Sequence, residues 1–212
     1  MNGVTVERGA MFKVSYGLFI LTAKYGGKDN GCIINTASQI TDSPPRITFA
    51  ANKSNLTHDM IIKTGEFNVS VLTENTPFRI FEQFGFHSGR NTDKFDGCDY
   101  NNRSANGIRY VPEYANGVIS GKINTLFDCG THTLFAADVT QAFVLSNEPS
   151  ATYRYYLDNI KPKPQAPEEK EEKEHKKGFV CKICGYVYEG EAMPEDFICP
   201  LCKHSAENFE PM

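Results

Sequence analysis

The sequence predicts a mainly β protein: a closed or partly closed antiparallel barrel with a few short helices, joined by a tether to a small domain built around a metal. Three observations carry this. Alternating and short apolar runs recur through the first 160 residues, only two helical patterns interrupt them, and four of the seven cysteines crowd into Cys181 to Cys202.

With 212 residues, 40% of them hydrophobic and 23% charged, the chain has ordinary globular composition and room for one medium domain and one small one. Its net charge of −4 leaves no basic field for nucleic acid or an acidic membrane surface. The apolar stretch Tyr16 to Ala23 is far short of the roughly 20 residues of a spanning helix, and no cleavage pattern follows it. The expectation is a cytoplasmic protein with neither nucleic-acid nor membrane partners. An odd, uneven cysteine set in such a chain points to thiols and a metal site, not a disulfide framework.

Strands are expected at Tyr16 to Ala23, Cys32 to Ala37, Arg46 to Ala51, Gly65 to Leu72, Gly107 to Val111, Gly117 to Asn124 and Thr131 to Leu145. The alternation is plainest in GEFNVSVL, where Phe67, Val69 and Val71 oppose Asn68 and Ser70. One helix starts near Ser54 or Asn55, which can cap it, and runs through Lys63 before Gly65. A second has Thr76 as its cap and Pro77 in its first turn, and ends near Gly85. None of the 17 glycines forms a Gly-x-Gly pair, so a dinucleotide fingerprint and a phosphate-binding P-loop are both excluded.

Charge divides the chain further. Residues 1–160 carry net −1, residues 161–177 net +1 and residues 178–212 net −4. The middle piece, KPKPQAPEEKEEKEHKK, has three prolines and no large apolar residue, so it offers nothing to bury and reads as a flexible charged linker. The expected domains are therefore 1–160, the linker 161–177 and 178–212.

The strongest motif lies in the last segment. Cys181-x-x-Cys184 and Cys199-x-x-Cys202, 14 residues apart, supply two thiolate pairs for one tetrahedral metal. Some 35 residues are too few to be stable on apolar burial alone, so the metal also supports the fold. Spacing alone leaves zinc and iron equally open. Gly185 suits a positive-φ turn that aims N–H groups at sulfur, and Phe179, Tyr186, Tyr188, Phe197 and Phe209 suit a dry aromatic shell that tunes a redox iron.

The stretches CKICGYVYEG and PEDFICPLC resemble a rubredoxin domain of the short-spacer kind found at the end of rubrerythrins. Phe197 stands where rubredoxins usually have tryptophan, and Lys203 where a glycine commonly follows the last cysteine. The resemblance implies one iron on the four cysteines. A whole rubrerythrin is excluded, because the one Glu-x-x-His match, Glu172 to His175, falls in the linker.

In the larger domain, Ala51 to Thr57 gathers an amine, hydroxyls and amides just before a helix, the make-up of a phosphate cradle or of an ordinary helix start. That segment follows Tyr16 to Ala23, Gly31 to Gln39 and Ser43-Pro44-Pro45, and precedes GEFNV, Asp93-Lys94-Phe95 and GTHTLF. In this order the segments resemble the flavin reductase-like, FMN-binding split-barrel (Greek-key) family. The resemblance implies FMN at a homodimer interface, with Asn35, Thr36, Ala37, Gln39 and Thr41 along the ring and ribityl chain. It likewise implies Asn52, Lys53, Ser54, Asn55 and Thr57 near ribityl or phosphate, and Lys94 as a further anion partner. His132 matches a histidine near the flavin, where it contacts nicotinamide or substrate. Cys129 is taken as a small buried residue, and the loop SGRNTDKFDG, with Arg90 and Asp93, as either solvated or substrate-facing.

A split barrel, charged linker and terminal rubredoxin domain together resemble the flavoredoxin-related high-molecular-weight rubredoxins of anaerobes. This implies an NAD(P)H-dependent oxidoreductase passing electrons from FMN to the iron and on to a flavodiiron protein that reduces oxygen or nitric oxide. Two alternatives stay open on the residues: a non-enzymatic carrier reduced by another protein, and a flavin reductase with a structural zinc ribbon.

Overall fold

The computed structural model describes residues 7–11, 13–98, 100–162, 178–182, 185–190, 192–200 and 204–211. The chain divides into two compact units, Met1–Lys161 and Pro162–Met212. The linker proposed for 161–177 lies, from residue 163 on, outside the described residues.

In the first unit seven strands form one antiparallel sheet: β1 (Phe19–Tyr25), β2 (Lys28–Ile34), β3 (Ser38–Thr41), β4 (Arg46–Asn52), β5 (Glu66–Leu72), β6 (Ala115–Asp128) and β7 (His132–Val144). Their order is β2-β1-β5-β6-β7-β4-β3, so β2 and β3 are the two edges of a mainly β, split-barrel sheet. Inside it Phe49 packs on Phe67 and Phe135 with ring centroids 4.7 and 5.2 Å away. The helix α2 (Leu56–Thr64) adds Met60 and Ile61 to this cluster. Gly65 ends α2 in the left-handed region at φ 69°, its N–H bonding the Ile61 carbonyl.

A second cluster lies on the opposite face of β1 and β5. There Ile20 and Leu72 meet Ile80 and Phe81 of α3 (Phe78–Phe81) and Phe84 of the π turn Glu82–Phe86. Tyr156, in the π turn that continues the C-terminal helical turn α4 (Tyr153–Tyr155), joins the same cluster. A four-residue turn, α1 (Arg8–Met11), precedes β1.

Several expected elements shift. β2 starts four residues before Cys32 because Gly26 and Gly27, both at positive φ, close a two-residue hairpin from Tyr25 to Lys28. Residues 107–111 are not a sheet strand. Their backbone is held by side chains: the Ile108 carbonyl accepts from Asn68, the Arg109 carbonyl from Thr22, and the Val111 N–H donates to Ser70. Asp29, buried on β2, fastens this loop through the Arg103 guanidinium at 3.0 and 3.1 Å and the Arg109 N–H at 3.0 Å. Pro77, not Thr76, occupies the cap position of α3, and Thr76 instead donates to the Thr73 carbonyl. Cys129 is exposed in the β6–β7 turn, not buried, since strand pairing ends at Asp128 and Thr133.

The second unit contains β8 (Gly178–Cys181), β9 (Val187–Glu189) and β10 (Phe209–Pro211) in the order β10-β8-β9. No helix among the described residues is long and apolar enough to cross a membrane.

Candidate functional site

The antiparallel register of β4 and β7 sets His132 opposite Asn52. The chain then turns sharply into α2: the Ser54 N–H donates to Asn52 Oδ1 at 2.9 Å and the Asn55 N–H to the Asn52 carbonyl at 3.0 Å. Asn55 stands at the helix cap but its side chain makes no capping bond, so α2 opens without a side-chain cap. The His58 and Asp59 N–H groups bond the Asn55 carbonyl, which leaves those of Leu56 and Thr57, with the helix dipole, to an anion. The Lys53 N–H bonds the Thr131 carbonyl, and its ammonium pairs with Asp128 at 2.6 Å on the exposed hairpin end.

The segment from Asn35 runs beside β4, where Thr36 Oγ1 donates to the Ala50 carbonyl and accepts the Ala50 N–H. Ala37 packs against the barrel core. Asn35 and Thr36 also line a cavity of about 370 Å³ together with Tyr16, Tyr153, Arg154 and Leu157. Gln39 and Thr41 lie further along: Gln39 pairs with Ile47 and Thr41 with Arg46, and both are exposed. The six residues from Ile47 to Asn52 cover about 16 Å of strand, so the candidate contacts form an elongated rim suited to an extended ligand.

Lys94 is buried. Its ammonium donates to the Phe84 carbonyl at 2.8 Å, and among the described residues no carboxylate lies within ion-pair distance. Burial lowers its proton affinity, partly opposed by the nearby Cys32. The Cys32 thiol is pushed up by burial, against the Thr57 and Asn55 side chains and the charge of Lys94. An uncapped helix start rich in hydroxyls and amides fits a phosphorylated ligand such as FMN.

His132 is half-buried, its Nδ1 2.8 Å from Thr131 Oγ1, which leaves Nε2 as its other polar atom. Burial first, and the charge of His58 second, hold it below the ordinary imidazole value. Nothing in the sequence motifs singled out His58. It is buried, with Nε2 2.9 Å from Thr133 Oγ1 and Nδ1 3.2 Å from Asp59 Oδ1. Arg90 completes this group by pairing with Asp59 at 2.6 Å, so part of the polar loop is a structural clasp; Asp93 accepts the Phe95 N–H. A helix-start histidine followed by aspartate was the available clue, but its partner Thr133 is 75 residues away.

In the second unit Cys181 and Cys199 are buried, at 1% and 0% exposure, among Phe179, Tyr186, Tyr188, Phe197 and Phe209. The two cysteine loops repeat one geometry. The Cys181 N–H bonds the Tyr186 carbonyl and the Cys199 N–H the His204 carbonyl, each five residues on and each at 2.8 Å. Gly185 adopts φ 75° and closes the first loop with an N–H bond to the Cys181 carbonyl. Cys184, Cys202 and Lys203 lie outside the described residues. Two matching knuckles with buried thiols in an aromatic shell fit a tetrahedral iron.

The flavin reductase-like domain model matches residues 11–163, and the rubrerythrin, rubredoxin-like domain model matches residues 179–210. The chain belongs to the flavin reductase-like family. Within it, the chain is 37% identical to a high molecular weight rubredoxin of Moorella thermoacetica, over 97% of this chain and 99% of that one. It is 39% identical to a ferric-chelate reductase (NAD(P)H) of Archaeoglobus fulgidus, over 69% of this chain and 86% of that one. Among solved structures, the NADH:FAD oxidoreductase SgcE6 of Streptomyces globisporus shares the fold at a TM-score of 0.63 and 21% identity, covering 72% of this chain and 93% of that one. This flavin reductase-like protein is therefore a flavin-dependent oxidoreductase that also carries a rubredoxin-type iron site.

Proposed function

We propose that this flavin reductase-like protein takes a hydride from NADH or NADPH on FMN and relays the electrons singly, through the iron of Cys181, Cys184, Cys199 and Cys202, to a flavodiiron protein. The observation that supports it most is the start of α2, where Asn55 makes no side-chain capping bond and the preceding Asn52 pairs with His132, in a chain that also bears two buried-thiol knuckles. Asn52, Ser54, Asn55, Thr57 and Lys94 would hold the phosphate and ribityl end, Asn35 to Thr41 the length of the cofactor, and His132 the nicotinamide side. A tether raises the local concentration of the second unit to the millimolar range, which favours internal transfer. The second unit's net −4 suits an electron acceptor with a basic docking patch.

We further propose a homodimer through the first unit, a reading supported by Ile40, Leu126, Phe127, Leu134 and Val144, exposed on β3, β6 and β7. The cytoplasm is the proposed compartment, in keeping with the unbridged thiols Cys32, Cys98 and Cys129. Anaerobic addition of NADH or NADPH to FMN-loaded, iron-loaded protein tests the reading: the flavin band should bleach first and the iron band after it. No bleaching by either nucleotide, with rapid bleaching by a protein donor, would replace the enzyme with a carrier.

A further inference from the structure

Three successive side chains at the start of α2 are each fastened to a different segment. Thr57 Oγ1 accepts from Asn30 Nδ2 on β2 at 2.9 Å, His58 Nε2 lies 2.9 Å from Thr133 Oγ1 on β7, and Asp59 pairs with Arg90 of the polar loop at 2.6 Å. The Asn55 side chain makes no capping bond, so these lateral bonds hold the turn that a cap would otherwise hold.

The innermost of them joins Asn30 to Thr57, both buried, at 1% and 0% exposure. Asn30 Oδ1 has no hydrogen-bond partner among the described residues. Gly89 seals it in: a Cβ there would collide with the Asn30 amide, and Lys28 Nζ holds the Gly89 carbonyl at 3.2 Å. A buried amide with one bare atom costs stability, so packing alone would favour an apolar side chain of the same shape. What the amide supplies in return is one donor, aimed at the Thr57 hydroxyl. That hydroxyl is thereby engaged from inside the sheet, while the Leu56 and Thr57 N–H groups stay open.

We infer that Asn30 is a positioning residue for the anion end of the candidate cofactor site: by holding the Thr57 hydroxyl it fixes the first turn of α2, and with it the direction of the Leu56 and Thr57 N–H groups. Donors already ordered bind a phosphate without a further entropy cost, whereas a turn released from β2 has to be ordered by the ligand. The inference rests on the proposed reading of this turn as the phosphate end of the FMN site.

Fluorescence titration of the full-length, iron-loaded protein with FMN and with riboflavin, which lacks the phosphate, tests it. The unsubstituted protein should prefer FMN. Asn30→Leu keeps the side-chain shape and removes both the donor and the bare oxygen; its preference for FMN over riboflavin should fall about fivefold, with riboflavin affinity and the urea midpoint retained. A merely structural role would lower the midpoint and both affinities together. Added to Thr57→Val, Asn30→Leu should lower the preference no further. An unchanged preference in Asn30→Leu, or an equal fall in both backgrounds, overturns the inference. If Asn30→Leu does not fold, Thr57→Ser, which keeps the hydroxyl facing Asn30, should retain the preference that Thr57→Val loses; equal preferences in those two variants overturn it. Equal affinity of the unsubstituted protein for both flavins would instead refute the phosphate reading of α2, and the inference with it.

Discussion

Around Phe49 the first unit gathers thirteen buried residues in one apolar cluster and eleven in a second, whereas the described part of the second unit gathers three, and two of those are Cys181 and Cys199. The barrel is thus stabilised by removing apolar surface from water, and the knuckles by ligation. An aromatic shell around two thiolates shields a metal but cannot substitute for it at this size. The difference teaches that the two units should answer separately to perturbation.

Metal removal should break the comparison most sharply. Chelation, or Cys199→Ser, should abolish the second unit's unfolding transition while leaving that of the barrel in place; calorimetry of the full chain resolves the two. Loss of both transitions together would mean that the barrel depends on the knuckles. Next in size, Phe49→Ala should cost the barrel about 3–5 kcal/mol in urea unfolding, because it empties the centre of the Phe67–Phe135 stack. The visible spectrum of the iron should not change.

Gly121 offers a smaller test. An added Cβ there would lie 2.7 Å from the Phe67 ring and 2.8 Å from the Asp138 carbonyl, where the β6–β7 register shifts. Gly121→Ala should therefore cost about 1–3 kcal/mol by overpacking, read in the same urea experiment.

The smallest effects are those of pH. Burial pushes the Asp59 carboxyl up, but hydrogen bonds from Arg90 and His58, and their charges, outweigh it and hold Asp59 below its ordinary value of 3.8. Its contribution is present above that value and is lost as pH falls through the lower folded one. His132 titrates below 6.5 when folded, so between the two values the unfolded chain binds a proton that the folded chain does not. Barrel stability should decline modestly as pH falls below about 6.5. His132→Gln should flatten that limb, and Asp59→Asn the more acidic one, in thermal melts across pH; the knuckles should show neither response.

Much of this was legible from local patterns. β4, β5 and β7 fall within two residues of their apolar runs, and α2 (Leu56–Thr64) is bounded by Asn55 and Gly65 as the start and stop residues indicate. Strand β3 was missed because Ser38–Thr41 is four exposed residues with no alternation to detect. The segment 107–111 misled because its apolar residues are buried like those of a strand while its backbone bonds side chains and the adjoining residues 102–104, not a sheet strand. Among the candidate site residues, His132 pairs with Asn52 and Thr36 bonds Ala50, whereas Gln39 and Thr41 are strung out along the β3 edge.

By itself the sequence determined the four-cysteine spacing and the boundaries of α2, since each depends on residues within a few positions of one another. Tertiary structure decided that His132 faces Asn52, that His58 reaches Thr133, and that Lys94 is buried with its ammonium on the Phe84 carbonyl. Those are outcomes of strand register and loop packing. A one-residue slip would turn each side chain to the opposite face, and no local pattern encodes which register wins.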